Sequence, residues 1–337
     1  MQPDAPPTKT SRGRLLRRLL SGFALALTLA LSAYVLLSAS KAGSPWFASL
    51  WFLSLLPGVL CALICYIGDP DQTRSMAFYW LVPAVLIGIV DVGSAFFLHE
   101  GVICLIMLSP LWLVSGWAGA FILRWQRGKV GRNTLQSSFL LIPLIAGAVE
   151  AQIPRPHEEV ALVRSIVVHA APEDIWPYAV SNRSIGPHEG RWTITHNIIG
   201  LPRPRATAIS GDGVGAVRTA YWGDNINFEE RITQWSPGRK LGWRFNFSNS
   251  SLQNYTDKHI SPDGALLKID SGDYVIRRIS PGLTELTLTT RYIAMTHVNP
   301  YAKLWAEFLL GDTQENILTI IKARAEAAAS ARALRTS

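Results

Sequence analysis

The residue types in this chain best placed for polar chemistry are Arg218 and Glu230, which flank a turn formed by Gly223, Asp224 and Asn225. Glycine and Asx residues favour such tight reversals. Pairing Trp222 with Ile226 sets Ala220 opposite Phe228, Arg218 opposite Glu230 and Ala216 opposite Ile232. A two-residue loop would instead set Arg218 against Arg231, and like charges directly opposed across a ladder are disfavoured. A slip by one residue also exchanges the two faces of the strand. The three-residue turn is therefore expected, with Trp, Ile, Ala and Phe surrounding one ion pair on a single face. Lining a cavity, that pair would orient a polar ligand head or serve acid–base chemistry. Within a packed core it would fix strand register instead, and both readings stand.

Other reactive side chains are sparser. His157, His169, His188, His196, His259 and His297 show no metal-ligand spacing, so no metal and no cofactor is expected. His188 and His196 flank Trp192, where they could meet at a cavity mouth. Cys61, Cys65 and Cys104 all lie in apolar runs, which leaves the second half without a thiol nucleophile or a disulfide framework. The glycine-rich stretch 211–215 precedes no helical pattern and reads as a turn before a strand rather than a phosphate cradle. The basic loop 200–205 reads as a sheet connection or a contact for anionic headgroups. N-x-[ST] matches at Asn182, Asn246, Asn249 and Asn254 read as chance occurrences in a polar stretch. Trp176, Trp222, Trp243, Phe245, Tyr292, Trp305 and Phe308 are the candidates to line a pocket, together with Arg218 and Glu230. No catalytic residue is assigned.

The elements that must position these residues follow from periodicity. Residues 162–168 read as a strand. Ala171, Pro172, Glu173 and Asp174 then open a short helix, with proline early and acids in its first turn. Alternation dominates from about Trp192 to Met295: Leu241, Trp243, Phe245 and Phe247 share one strand face, as do Leu286, Leu288, Thr290 and Tyr292. Asn299 and Pro300 open a closing helix, with apolar residues at helical spacing from Trp305 to Ile321. Gly311-Asp312 is a candidate kink, and residues 323–335 a frayed tail. One apolar sheet face needs a cover, which the long helix can supply.

The first half is different. Of 337 residues, 49% are hydrophobic and 17% charged, but residues 1–150 hold six of the 24 acids and 11 of the 32 bases. Crossing a bilayer takes about 20 apolar residues. Runs 19–39, 46–67, 78–98 and 101–123 qualify; a fifth, 137–151, is shorter and closes near Glu150. Aromatics gather at the ends of these runs, at Trp46, Trp51, Phe78, Tyr79, Trp80 and Trp125, as in an interfacial belt. The first run is longer than a signal-peptide core and is followed by further spans, so it reads as an uncleaved anchor. Lys9, Arg12, Arg14, Arg17 and Arg18 before it, and Arg124, Arg127, Lys129 and Arg132 after the fourth run, put both segments in the cytoplasm, leaving the Lys41 loop and the His99-Glu100 turn outside. Five spans would place the second half outside the cytoplasm; four would keep it inside. Asp91 lies within the third run without evident polar partners: it is functional, or it faces another helix or sits near the outer interface, since the run ends at Leu98. The net charge of +8 is scattered, with no basic stripe of the kind nucleic acid requires.

The soluble half also carries a resemblance. Residues 163–168 followed by 171–176, the stretches 213–218 and 228–238, and the helical end 317–326 resemble START-like domains of the polyketide cyclase/dehydrase (SRPBCC) superfamily. The resemblance implies an α+β helix-grip fold, a curved antiparallel sheet over a long C-terminal helix, here preceded by an all-α transmembrane bundle. The expected organisation is a membrane domain over 1–153, a START-like domain over 154–329 and a tail over 330–337. The expected function is binding of a hydrophobic small molecule or lipid between sheet and helix, by a multi-pass protein of a bacterial inner membrane. The expected partners are that ligand and the lipid bilayer, with no nucleic acid. Two alternatives stand beside it: a cyclase or dehydratase acting on a polyketide-like or isoprenoid substrate, and a membrane adaptor whose domain is filled.

Overall fold

A computed structural model describes residues 9–39, 49–98, 101–130, 138–249, 251–252 and 261–336. Trp46, the Lys41 loop, the His99-Glu100 turn, Arg132, Ser137, Asn254 and His259 lie outside the described residues. The chain forms two compact units, Met1–Pro154 and Arg155–Ser337.

Among the described residues the first unit holds five helices: α1 (Lys9–Ala39), α2 (Leu56–Gly68, entered through a π-helical turn at Trp51–Leu55), α3 (Met76–Gly93, ending in a similar turn at Ser94–Leu98), α4 (Val102–Val130) and α5 (Ser138–Glu150). Helices spanning Gly13–Val35, Met76–Leu98 and Val102–Arg127 are long and apolar enough to cross a membrane. The second of the four expected runs is a shorter apolar helix, Leu53–Gly68. Small residues let α2 and α4 touch backbone to backbone. A Cβ on Gly119 would lie 2.0 Å from the Gly58 carbonyl oxygen, and one on Gly58 would lie 3.0 Å from that of Ser115. Such small-residue seams are how helices approach where lipid offers no hydrophobic drive.

Contacts at the two ends of this unit fix the direction of each helix. Leu19 and Phe78 meet Gly68, the Tyr79 hydroxyl donates to Asp69, and Arg127 donates to the Asp69 carbonyl at 2.9 Å. The start of α1, the end of α2, the start of α3 and the end of α4 therefore share one end of the bundle. At the other end, the Glu150 carboxylate closing α5 accepts the backbone N–H groups of Leu50 and Trp51 at 2.6 and 3.0 Å, neutralising donors that a helix start leaves unpaired. Asp91 does have a polar partner, contrary to the sequence reading: the Ser109 hydroxyl of α4 donates to it at 2.8 Å.

The second unit is a seven-stranded sheet under one long helix. Its elements are β1 (Glu158–Val168), α6 (Pro172–Val180), α7 (Ile194–Asn197), β2 (Pro204–Ser210), β3 (Val217–Trp222), β4 (Ile226–Ser236), β5 (Lys240–Asn246), β6 (Leu267–Ser280), β7 (Leu283–Ala294) and α8 (Asn299–Thr336). The strand order is β1-β7-β6-β5-β4-β3-β2, and every pair is antiparallel. Antiparallel order puts the starts of β1, β2, β4 and β6 and the ends of β3, β5 and β7 at one edge, the leading end.

Three expectations change. Regular strands begin at Pro204 rather than near Trp192, because Thr193 accepts the backbone N–H of His196 and caps a helical turn there. Gly311 neither kinks nor breaks α8. It is the gap through which Arg164 of β1 crosses the helix to reach Glu307 and Glu315, and a Cβ there would fall 2.5 Å from the guanidinium. The tail does not fray at residue 323: α8 runs on to Thr336, with Ala325 fully buried and Arg332 pairing with Asp174. Asn299 begins α8, but its side chain turns back to accept from Thr296 and donate to the Ala294 carbonyl.

Candidate functional site

The hairpin folds in the expected register. Trp222 faces Ile226, Ala220 faces Phe228 and Arg218 faces Glu230. Gly223 takes a φ of +53°, a conformation that glycine adopts freely. The Arg218 Nε–H donates to the Glu230 carboxylate, and both residues are buried. The arginine has two further neighbours that the hairpin alone could not reveal. Its Nη1 donates to the Ala179 carbonyl at the end of α6 at 2.6 Å, and its guanidinium carbon stands 4.3 Å from the centre of the Trp243 ring. Tyr274 closes the same cluster, 5.7 Å from the guanidinium and 5.1 Å from Trp243. Burial pushes the Glu230 carboxyl above its ordinary value, and Arg218 only partly offsets this. Burial likewise raises the Tyr274 phenol to about 12. Arg218 thus has a carboxylate, a carbonyl and an indole face as partners within the core.

The neighbouring cross-strand row carries the polar groups still open. Ile232, Trp243, Gly272, Thr290 and Leu162 stand side by side across five strands. Gly272 lets the indole of Trp243 lie over β6, since a Cβ there would be 2.6 Å from the ring and 2.9 Å from Nε1. One strand further on, the Thr290 hydroxyl accepts from Gln314 Nε2 of α8 at 2.8 Å, and that amide also donates to the Leu162 carbonyl. Trp243 on β5 and Thr290 on β7, to which the Gln314 amide is bonded, thus flank Gly272 in one row. Both Trp243 Nε1 and Gln314 Oε1 are buried without a hydrogen-bond partner, as are Trp305 Nε1, Thr313 Oγ1 and Asn316 Nδ2 on α8. Buried polar atoms are ordinarily paired.

An aromatic path leads from this row toward the leading end. Trp243 touches Phe245, Phe245 stacks on Phe247, both meet Phe228, and Phe228 meets Trp222. Beyond it the buried His196 ring lies 6.4 Å from Trp222. His196 Nδ1 donates to the Leu201 carbonyl, so Nε2 is the bare nitrogen, and burial holds its pKa below the ordinary imidazole value.

Of the sequence candidates, Arg218, Trp222, Glu230, Trp243 and Phe245 are gathered in one continuous patch. Trp176 packs edge-on against Trp235 near the far end of β4. Tyr292 is buried on β7 beside Val160, and Trp305 and Phe308 contact each other along α8. His188 and Trp192 are exposed while His196 is buried, so these residues do not form a shared mouth. Sequence reasoning missed Tyr274, Thr290, Thr313, Gln314 and Asn316. Gln314 had a signal: it is a polar residue one turn ahead of Leu318 and two ahead of Ile321 in the apolar stripe of α8. Among the described residues, no cluster of three metal-ligating side chains occurs.

No family model and no curated protein matches the chain. Solved structures do match at low identity. The di-domain ARO/CYC BexL from the BE-7585A biosynthetic pathway is 13% identical over 60% of this chain and 60% of its own, with a TM-score of 0.34. Zhui aromatase/cyclase from Streptomyces sp. R1128 is 13% identical over 52% of this chain and 96% of its own (TM-score 0.31). Truncated norcoclaurine synthase from Thalictrum flavum is 12% identical over 50% and 96% (TM-score 0.30). This chain thus spans less than two thirds of BexL. At that level of likeness the fold rests on the molecule's own layers. Seven antiparallel strands under one long C-terminal helix make the second unit a helix-grip domain.

Proposed function

We propose that the domain binds a hydrophobic small molecule or lipid carrying a neutral, oxygen-bearing head, within a protein embedded in a membrane. The observation that carries this is the unpartnered donor of Trp243 and the unpartnered acceptor of Gln314, whose amide is bonded to Thr290 of the same cross-strand row. A hydroxyl both donates and accepts, so an alcohol head matches the two atoms together. The aromatic path from Trp243 to Trp222 supplies an apolar wall for the remainder of such a molecule. A filled adaptor domain would be expected to pair these atoms. An enzyme of cyclase type would draw on Glu230, whose raised pKa suits a proton donor, but Arg218 already engages that carboxyl.

The direction of the helices supports an extracytoplasmic domain. Arg17, Arg18, Arg74, Arg124 and Arg127 belong to the bundle end where α2 finishes, which the positive-inside rule makes cytoplasmic. Glu150 reaches the opposite end, so the chain crosses once more in α5 before β1 begins. Mass spectrometry of full-length protein purified in mild detergent tests the ligand. The expected result is a stoichiometric amphiphile, lost from Gln314→Leu; protein that stays empty when offered membrane lipids would refute it. A reporter that is active only outside the cytoplasm, fused after Ser337, tests the side.

A further inference from the structure

We infer that α7 and its flanking loop dock on the surface of a lipid bilayer. α7 is amphipathic in the reverse sense of an ordinary surface helix. Thr195 and His196 are buried, whereas Ile194 and Ile198, one turn apart, are 41% and 66% exposed. Trp192, just before them, is 62% exposed. The loop is firmly built. The backbone and hydroxyl of Thr195 both donate to Asp312, Asn316 accepts the N–H of Arg191, and Arg203 ties Asn197 to the Arg191 carbonyl. Three large apolar side chains are thus held outward on a rigid base, with a tryptophan among them, the residue type suited to the headgroup boundary.

Chain connectivity selects the bilayer as the occupant. This loop leads into β2 at the leading end of the sheet, where β1 also begins. Leu304, near the start of α8 and also at that end, is 64% exposed. Residues 151–157, which join α5 to β1, can span no more than about 25 Å. The inference rests on the reading that the first unit crosses a membrane. The basic loop 200–205 contributes little by charge: Arg205 is paired with Asp224, which leaves Arg203, itself tied to Asn197 and the Arg191 carbonyl, as the single net cation. Docking is therefore driven by apolar burial and is insensitive to salt.

The test uses full-length protein with its three cysteines replaced by alanine, in phosphatidylcholine nanodiscs. A polarity-sensitive fluorophore is placed through Ile198→Cys, Val92→Cys or Val214→Cys. Val92 is an exposed position on α3, and Val214 is an exposed position at the far end of the sheet. The expected result is a blue-shifted probe at 198, with most of its emission lost to spin-labelled lipid as at 92, unchanged in high salt, while 214 stays water-like. A water-like probe at 198 with quenching at 92 overturns the docking and leaves the membrane reading intact. No quenching at either position overturns both. A blue shift at 198 without lipid quenching assigns the face to a second copy of the chain and overturns the bilayer as occupant.

Discussion

Arg218→Met should be among the most damaging single changes in the second unit. It leaves the Glu230 carboxylate buried without its counter-charge, which typically costs about 3–5 kcal/mol. The Ala179 carbonyl also loses its donor, and the Trp243 face its cation. These losses share one side chain and do not simply add. With a urea dependence of about 2 kcal/mol per molar, the midpoint should fall by roughly 2 M. Pulse proteolysis of full-length protein in detergent across a urea series reads this transition in the second unit. The double replacement Arg218→Met with Glu230→Leu should recover most of the loss, since two desolvated charges vanish together. The sign with pH follows from the raised pKa of Glu230. Stability tied to its protonated form is fully present below the unfolded value and is lost as pH rises through the folded one. Removing Arg218 raises the folded value further, so the deficit of the single variant should shrink on acidification. A single variant costing less than about 1 kcal/mol, as exposed pairs do, would refute the reasoning. So would a double variant as unstable as the single one.

Other consequences are more local. Gly272→Ala should force the Trp243 indole off β6 and lower stability by about 1–3 kcal/mol, read by thermal unfolding. Gly190→Ala should be more harmful than a surface change: φ is +90° there, and the new Cβ would lie 2.1 Å from Asn316 Oδ1, so proteolysis within 182–203 should accelerate. Because burial lowers the pKa of His196, the stability it contributes is present above the ordinary value near 6.5 and is lost as pH falls toward the folded one. Hydrogen-exchange protection at 193–201, corrected for the intrinsic pH dependence of amide exchange, should therefore weaken as pH falls below about 6.5 in the wild type and not in His196→Asn. Gly119→Ala should part α2 from α4, read as lost disulfide crosslinking between cysteines introduced across that seam.

The hairpin register was legible because charge and turn length acted locally, on residues adjacent along the chain. The partners of Arg218 were not. Ala179, Trp243 and Tyr274 reach it from α6, β5 and β6, elements whose order in the sheet no local pattern encodes. α7 was hidden for the opposite reason: its apolar residues face outward, so alternation around Trp192 imitated a strand. Asp91 looked isolated because its partner Ser109 belongs to the next helix.

The carboxylate that closes α5 also has a temporal meaning. Leu50 and Trp51 are made a hundred residues before Glu150, the side chain that receives their N–H groups. At roughly 5–20 residues per second, the start of α2 waits on the order of ten seconds for its acceptor. The bundle therefore cannot be completed in the order in which it is translated. The last helix of the first unit returns to finish the second, and a chain arrested before it would carry an unfinished helix end.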